Sequence, residues 1–321
     1  MKSAQITRYG NTSEVIKINQ TNAPNLSTGK VLVNVQVAGI NPIDWKIREG
    51  YMQQMIHLQF PSTLGMDFSG IIKQVGEEIS SDFKQGDEVY GQAGIPSGGS
   101  GAFTEQALAS VTSIAHKPKT LDHPEAAALP LVGVSAWQAL VEHIGLSKGQ
   151  KILIHGGAGG IGSIAIQLAK NLGANVATTV STEDKQFVHE LGANEVIDYK
   201  TQTFEDVVHD YDAVFDTVGG ETYARSFRVL RKDGIIVSML EKQNSGLMKQ
   251  FGVEAISQFT QVNKERLTKL AKWVDQNKVN IHIEKTFSLD EAGKALDYLR
   301  DIHPRGKIVL AIQKEHAPTN S

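Results

Sequence analysis

The chain has 321 residues, with 32 Lys and Arg against 35 Asp and Glu, a formal net charge of −3 and 40% hydrophobic residues. Its length predicts two domains. A slightly negative chain is not expected to bind nucleic acid or an acidic membrane surface. Cysteine is absent, which excludes disulfides, thiolate nucleophiles and zinc sites that use sulfur. The first residues form no apolar leader and no run suits a membrane span, so we expect a cytoplasmic protein.

The first part of the chain predicts a small domain of mostly β structure. Hydrophobic and polar residues alternate over 30–40, and glycines separate two further predicted strands at 68–76 and 85–92. A loop rich in Gly and Ser over 94–103 precedes another predicted strand. This pattern of predicted strands and glycine-rich loops differs from the pattern in the middle of the chain.

Strands and helices alternate in the middle of the chain. A short helix, a proline break and a longer helix are predicted over 121–145, and from residue 151 short apolar strands alternate with amphipathic helices up to a strand at 251–259. This order predicts right-handed βαβ units around a parallel sheet that is buried on both faces. The tail over 262–321 predicts two helices and two strands, and the pattern leaves open whether its last strand returns to the β domain.

The segment ILIHGGAGGIG, residues 152–162, contains the pattern G-x-G-x-x-G between a predicted strand and a predicted helix. In this pattern the first glycine permits a tight turn, the second lets the backbone approach a pyrophosphate, and the third allows close packing of helix on strand. The helix N-terminus offers N–H donors to the phosphates. A glycine turn without a ligand is the alternative. The predicted cofactor-binding residues of the turn are Gly157, Gly159, Gly160, Ile161 and Gly162.

The end of the second strand of the βαβ series indicates which dinucleotide binds. NAD-selective chains place an acid there, whereas this chain has Val180 and Ser181. Ser181, Thr182 and Lys185 are therefore candidates to bind the 2′-phosphate of NADP(H). The two hydroxyls also suit the start of a helix, and the acids that follow oppose a strongly positive pocket.

Several separated motifs now identify a family resemblance: AGINPIDWKIREG, LGMDFSGIIKQVG, the glycine turn, LGANEVIDY, YDAVFDTVGGETY and GKIVL. Together they resemble the medium-chain dehydrogenase/reductase superfamily, and most closely its zinc-independent quinone oxidoreductase branch, with zeta-crystallin-type quinone reductases and plant alkenal/enone reductases. The resemblance implies an α/β protein in which a Rossmann domain, a doubly wound parallel sheet over 124–260, is inserted in a mostly-β GroES-like catalytic domain of residues 1–123 and 261–321. It also implies a homodimer.

The resemblance carries information about metal binding. In the zinc-dependent branch the catalytic ligands occupy positions that correspond here to Asn41, Met66 and Val132. Methionine and valine offer zinc no suitable ligand, so we predict no metal site.

The same resemblance assigns further cofactor contacts. Ser135 corresponds to a hydroxyl near the nicotinamide, Lys185 and Tyr199 to a pair that flanks the 2′-phosphate, and Thr217 to the adenine side. Apart from the resemblance, Ser238 ends a predicted strand and is a candidate to meet the nicotinamide. Tyr199 as a core aromatic residue and Ser135 as a helix cap are the alternatives. The predicted cofactor is NADPH, with NADH less favoured.

The candidate catalytic groups are four residues that follow the predicted strand at 30–40. Asn41 would donate to the acceptor's carbonyl oxygen or hold the nicotinamide, Lys46 would stabilise the oxyanion with Asp44 as its orienting partner, and Tyr51 would donate its hydroxyl. A structural cap at Asp44 and an exposed charge at Lys46 are the alternatives.

The predicted function is a zinc-independent, NADPH-dependent oxidoreductase that reduces quinones or α,β-unsaturated carbonyl compounds by hydride transfer. Three alternatives remain open: a reductase of an acryloyl-type thioester, an NADPH-binding redox sensor, or a structural protein without turnover. A zinc alcohol dehydrogenase has little support.

Overall fold

The computed structural model describes residues 1–11, 13–77 and 82–313. The chain divides into two compact units, of which unit 1 comprises Met1–Leu131 and Val262–Ser321, and unit 2 comprises Val132–Gln261. Unit 2 is therefore continuous in sequence and interrupts unit 1.

Unit 1 contains the mostly antiparallel β structure that the sequence predicts. Its strands are β1 (Lys2–Ile6), β2 (Ile16–Gln20), β3 (Lys30–Gly39), β4 (Ser62–Thr63), β5 (Asp67–Val75), β6 (Glu88–Gln92), β7 (Gln106–Ser110) and β8 (Ile114–His116), with two more from the end of the chain. The sheet order is β2-β1-β4 in the small sheet. Buried side chains such as Val33 and Phe68 form the core of this unit.

Four α-helices lie wholly within the described residues of unit 1. They are α1 (Pro42–Glu49) and α2 (His123–Ala128) before unit 2, and α9 (Lys264–Gln276) and α10 (Ala292–Ile302) after it. α1 starts with a proline at its first position and ends at Gly50, whose φ is 87°, which is a common way to start and stop a helix.

Unit 2 is a parallel six-stranded sheet. Its strands are β9 (Lys151–His155), β10 (Asn175–Val180), β11 (Glu195–Asp198), β12 (Tyr211–Asp216), β13 (Leu230–Ser238) and β14 (Glu254–Ser257), in the order β11-β10-β9-β12-β13-β14. This is the strand order of doubly wound dinucleotide-binding sheets, with its switch point between β9 and β12. The predicted Rossmann architecture is confirmed.

One helix precedes the first strand of unit 2, and others follow most of its strands. They are α3 (Pro130–Trp137), which starts in unit 1 and continues as a π-helical segment (Gln138–His143), α4 (Gly160–Asn171), α5 (Lys185–Glu190), α6 (Phe204–Val207), α7 (Gly220–Ser226) and α8 (Ser245–Phe251). Leu153, Val214 and Ile236 are fully buried in the sheet, as expected where helices cover both of its faces.

The tail completes the large sheet of unit 1 with β15 (Ile283–Ser288) and β16 (Lys307–Ala311). The order is β15-β16-β3-β5-β6-β8, with β7 on β3, and β16 runs antiparallel to β3 with Val309 opposite Gly39. The last strand thus returns to the β domain, which the sequence pattern had left open.

The unit boundary differs from the predicted one at residues 124–131, which belong to unit 1. The reason is the packing of α2 on the large sheet. A Cβ atom at Gly39 would lie 2.1 Å from the carbonyl oxygen of Ala127, so this glycine lets the helix backbone reach β3.

The predicted strand over 251–259 is too long, because α8 ends at Phe251 and β14 spans only Glu254–Ser257. α8 itself is missing from the prediction. Its signals are local: the Asn244 side chain accepts the N–H of Leu247, and Gly252 ends the helix with φ at 65°.

Candidate functional site

The glycine turn lies between β9 and α4, at the carboxyl end of the sheet. Gly156 has φ at 74°, a conformation that favours glycine, and a Cβ there would lie 2.7 Å from Thr217 Oγ1. A Cβ at Gly157 would lie 2.1 Å from Thr178 Oγ1, and a Cβ at Gly162 would lie 2.2 Å from the Gly156 carbonyl oxygen. These three glycines are required by the protein's own packing.

Gly159 differs from its neighbours in the turn. It is the N-cap of α4 with φ at −74°, and an added Cβ would meet only the Gly156 carbonyl oxygen, at 3.4 Å. A glycine here is not needed by the fold, whereas a pyrophosphate that approaches the backbone needs it. The turn therefore fits a dinucleotide, and the N–H groups of the first turn of α4 are available to bind phosphates.

His155 fixes the strand end from which the turn starts. The ring is fully buried, with Nδ1 3.0 Å from Thr179 Oγ1 and Nε2 2.9 Å from Ser226 Oγ. Because the Ser226 hydroxyl donates to the Thr222 carbonyl, it accepts from Nε2–H of a neutral imidazole. The His155 carbonyl in turn accepts from Thr217 Oγ1 at 2.7 Å, which ties β9 to the residue after β12.

Burial lowers the pKa of His155 to about 4, although Asp216 and Glu205 oppose this shift; Arg225 adds to it. Between that value and the ordinary pKa of 6.5 the unfolded chain binds the proton and the folded one does not. His155 therefore makes its full contribution to the free energy of unfolding above about pH 6.5. In the wild-type protein this contribution is expected to fall by about 1–2 kcal/mol between about pH 7.5 and about pH 5. Urea unfolding at both pH values measures the loss, which is expected to be smaller in His155→Asn.

His209 supplies the control, since it is exposed on the same unit. His209→Asn is expected to keep the wild-type pH dependence. An unchanged pH dependence in His155→Asn would contradict a buried neutral imidazole.

The predicted 2′-phosphate residues cluster at the ends of β10 and β11. Ser181 Oγ donates to Asp184 at 2.8 Å, and Thr182 Oγ1 donates to Asp198 Oδ2 at 2.6 Å. Lys185 Nζ lies 3.0 Å from the same Asp198 oxygen. Tyr199 follows directly and is 62% exposed, so it is not a core residue.

The other predicted cofactor residues have protein partners. Ser135 is buried with Oγ 2.7 Å from Thr260 Oγ1. Ser238 Oγ donates to Asp216 at 2.7 Å and accepts backbone N–H groups of the loop after β13. Thr217 and Ser238 thus stand at the carboxyl ends of β12 and β13, at and beside the switch point.

A buried polar cluster in unit 1 surrounds Asn41. Its Nδ2 donates to Asp67 Oδ2 at 2.9 Å, and its Oδ1 accepts from Lys307 Nζ at 2.5 Å. Asp67 also accepts from Gln92 at 2.8 Å and from the Leu131 N–H at 2.9 Å. All of these side chains are at most 6% exposed, so the cluster is an internal charge network.

The charges of this cluster are shifted by burial. Burial raises the pKa of Asp44 to about 7, with Asp67 adding to the rise and Lys307 opposing it. Burial also raises the pKa of Asp67, against the attraction of Lys307, and lowers the pKa of Lys307 to about 8. With two carboxyl groups and one ammonium group buried together, a state without net charge has one of the two carboxyl groups protonated beside the charged Lys307.

The predicted pairing of Asp44 with Lys46 is wrong. Asp44 is fully buried, its Oδ2 accepts the Asn41 N–H at 2.8 Å, and its Oδ1 has no hydrogen-bond partner. Residues two apart on a helix do not face each other. Lys46 Nζ instead lies 5.6 Å from the Trp45 ring, and Tyr51, 72% exposed, packs edge-on against the same ring at 6.0 Å.

These residues do not fit zinc. The Asn41 oxygen is bound to the Lys307 ammonium group, which already places a cation in the cluster, and Met66 and Val132 are buried apolar side chains. Over the described residues, His, Cys, Asp and Glu form no group of three or more that is able to hold a metal. In the same part of the chain, no helix has the length and apolar character needed to cross a membrane.

Sequence reasoning missed Asp67, Gln92 and Lys307 in this cluster, and Asp198 at the end of β11, where it contacts Thr182 and Lys185. Asp67, Lys307 and Asp198 lie in the motifs LGMDFSG, GKIVL and EVIDY that carry the resemblance. Those motifs were the available signal, but nothing in their spacing indicates their partners.

Comparison with known proteins bears on both units. A family model described as alcohol dehydrogenase GroES-like domain matches residues 27–119, which confirms the predicted character of the β domain, and one described as zinc-binding dehydrogenase matches residues 191–310. The solved structure of a quinone oxidoreductase from Coxiella burnetii has a TM-score of 0.87 and 34% identity, and the similarity covers 98% of this chain and 99% of that one.

Curated proteins agree. The human "NAD(P)H oxidoreductase RTN4IP1, mitochondrial" is 32% identical over 96% of this chain and 88% of its own length. The Arabidopsis thaliana "NADPH-dependent alkenal/one oxidoreductase, chloroplastic" is 31% identical over 97% of this chain and 79% of its own length. With the fold and the glycine turn described above, these matches confirm the predicted family: the chain belongs to the quinone oxidoreductase branch of the medium-chain dehydrogenase/reductase superfamily.

Proposed function

We propose that this protein is an NADPH-dependent reductase of quinones and α,β-unsaturated carbonyl compounds. The observation that carries the proposal is the glycine turn at the switch point of a doubly wound sheet, where Gly159 leaves room for a pyrophosphate. The names of the relatives support the reaction class, since they include an alkenal/one oxidoreductase that depends on NADPH and a quinone oxidoreductase.

The bound cofactor supplies a hydride. Unit 2 holds it by the glycine turn, with Ser181, Thr182, Lys185 and Tyr199 at the 2′-phosphate. We further propose that Thr217 lines the adenine side and that Ser135 and Ser238 support the nicotinamide end. These side chains orient the dinucleotide, and orientation is the main requirement of hydride transfer.

Reduction of a conjugated carbonyl leaves negative charge on its oxygen, which needs a donor. Lys46 and Tyr51 are the proposed donors, because both side chains rest on Trp45 and Tyr51 is largely exposed. Asn41 and Asp44 are buried and bonded within unit 1, so we assign them the role of holding the start of α1.

The test is oxidation of NADPH and NADH in the presence of a 1,4-quinone, a short enal, a cyclic enone and a saturated ketone, followed by the nicotinamide absorbance. Turnover of the conjugated acceptors with NADPH is the expected result. Nucleotide binding without turnover of any acceptor would contradict the proposed reaction and favour a redox sensor.

Lys185→Ala is expected to weaken NADPH binding by about tenfold, the scale of one lost charge-assisted hydrogen bond to a phosphate, and NADH binding by less than about twofold. Titration of nucleotide fluorescence measures both dissociation constants. Lys151→Ala is the matched control, since Lys151 starts β9 at the opposite edge of the sheet. Equal weakening of both nucleotides would contradict a 2′-phosphate role for Lys185.

We also propose a homodimer in the cytoplasm, which light scattering and fractionation of the source cells test. The mitochondrial and chloroplastic names of the relatives belong to those proteins.

A further inference from the structure

Asp198 ends β11 and stands opposite Val180, the last residue of β10. This register places its carboxylate at the carboxyl edge of the sheet. In an NAD-selective chain the acid stands at the same edge, but at the end of the strand that corresponds to β10. Asp198 is only 1% exposed, in contrast to the exposed Glu183 nearby.

The Asp198 carboxylate binds the residues proposed for the 2′-phosphate. Oδ2 accepts from Thr182 Oγ1 at 2.6 Å and lies 3.0 Å from Lys185 Nζ, while Oδ1 accepts the Lys200 N–H at 3.0 Å. The hydrogen bond from Thr182, followed by those from Lys185 and the Lys200 backbone, lowers the pKa of Asp198 to about 2, although burial opposes this. The group is therefore ionised at neutral pH.

Nearby acids bind two further donors of this region. Ser181 donates to Asp184 at 2.8 Å, and Lys200 Nζ lies 3.1 Å from Glu183. Three carboxylates thus face two ammonium groups, so a 2′-phosphate enters a region without an excess of positive charge.

We propose that Asp198 is a specificity-determining residue that limits the preference for NADPH over NADH by neutralising Lys185. The inference rests on the proposed 2′-phosphate site. A 2′-phosphate must share Lys185 and Thr182 with a fixed negative charge, whereas the ribose hydroxyl of NADH carries no charge and is not repelled.

Asp198→Asn removes the charge and keeps an oxygen that accepts from Thr182 or from the Lys200 N–H. The variant is expected to bind NADPH about three- to tenfold more tightly, and NADH within about twofold of wild type, the scale of one partly screened charge beside a phosphate. Adenosine 2′,5′-bisphosphate and 5′-AMP, used as competing ligands, measure the same difference without the nicotinamide.

Asp206→Asn on α6 is the control, since it removes an exposed acid of the same unit and is expected to leave both affinities unchanged. Asp198→Ser provides a second variant if the asparagine variant unfolds at a lower temperature. Unchanged or weaker NADPH binding in both Asp198 variants would overturn the inference, because it would mean that the carboxylate only positions Lys185 or caps the turn.

Lys185→Ala distinguishes failure of the proposed 2′-phosphate site from failure of the proposed role of Asp198. If it weakens NADPH binding while the Asp198 variants do nothing, the 2′-phosphate site stands and the role of Asp198 falls. If Lys185→Ala also changes nothing, the proposed site itself is in the wrong place.

Discussion

The Gly159→Val variant is expected to fold, but to bind NADPH and NADH with at least about 100-fold lower affinity than wild type. The Cβ of the new side chain meets no atom nearer than the Gly156 carbonyl oxygen at 3.4 Å, and φ at −74° is open to valine. The branched side chain would occupy the place where the pyrophosphate approaches the backbone, so the loss falls on the ligand rather than on the fold.

Nucleotide titration, circular dichroism and the melting temperature measure the two effects separately. Gly246→Val is the control, because Gly246 lies in the first turn of another helix of unit 2, where the nearest atom to a new Cβ is Asn244 Oδ1 at 3.3 Å. Gly157→Val provides the contrast, since its Cβ would lie 2.1 Å from Thr178 Oγ1 and is expected to destabilise the protein itself. Retained NADPH affinity in a folded Gly159→Val protein would place the cofactor elsewhere.

Lys307→Met is expected to reduce the free energy of unfolding by about 3–5 kcal/mol, which is typical when one partner of a buried ion pair is removed. The methionine fills a similar volume, so the loss arises mainly from Asp67 and Asn41, whose oxygens would be left buried near no cation. Urea unfolding at neutral pH measures it.

Lys264→Met is the matched control, because Lys264 pairs with Asp82 at 2.7 Å where both side chains are at least 40% exposed, and a loss below about 1 kcal/mol is expected. A double variant, Lys307→Met with Asp67→Asn, is expected to recover about 1–3 kcal/mol relative to the sum of the single losses. A loss in Lys307→Met no larger than in Lys264→Met would mean that the cluster is not an ion pair in solution.

Features that depend on neighbouring residues could be predicted from the sequence. The glycine turn, the alternation of strands and helices in unit 2 and the polar end of β10 all depend on short spacings. α8 spans only Ser245–Phe251 and was not predicted, although its two caps were present. Packing of α2 moved the unit boundary, and packing is not visible in periodicity.

The polar cluster could not be predicted for a different reason. Asn41 and Lys307 are 266 positions apart, and only the pairing of β16 with β3 brings them together. The Asp44–Lys46 prediction failed because it relied on sequence proximity, whereas Asp44 is buried in the first turn of α1 and accepts the Asn41 N–H. Asp198 lies in a predicted strand, but its contacts depend on the register between β10 and β11, which the sequence pattern does not show.

The interruption of unit 1 by unit 2 also affects the order in which the protein can fold during synthesis. Unit 2 is continuous and can assemble once Gln261 has left the ribosome. The large sheet of unit 1 must wait for β16, and until then Asn41 and Asp67 have no Lys307 to bind. A nascent chain arrested before residue 307 should therefore carry a protease-resistant middle between a protease-sensitive beginning and end, and the slow step of folding should be the closure of this long loop.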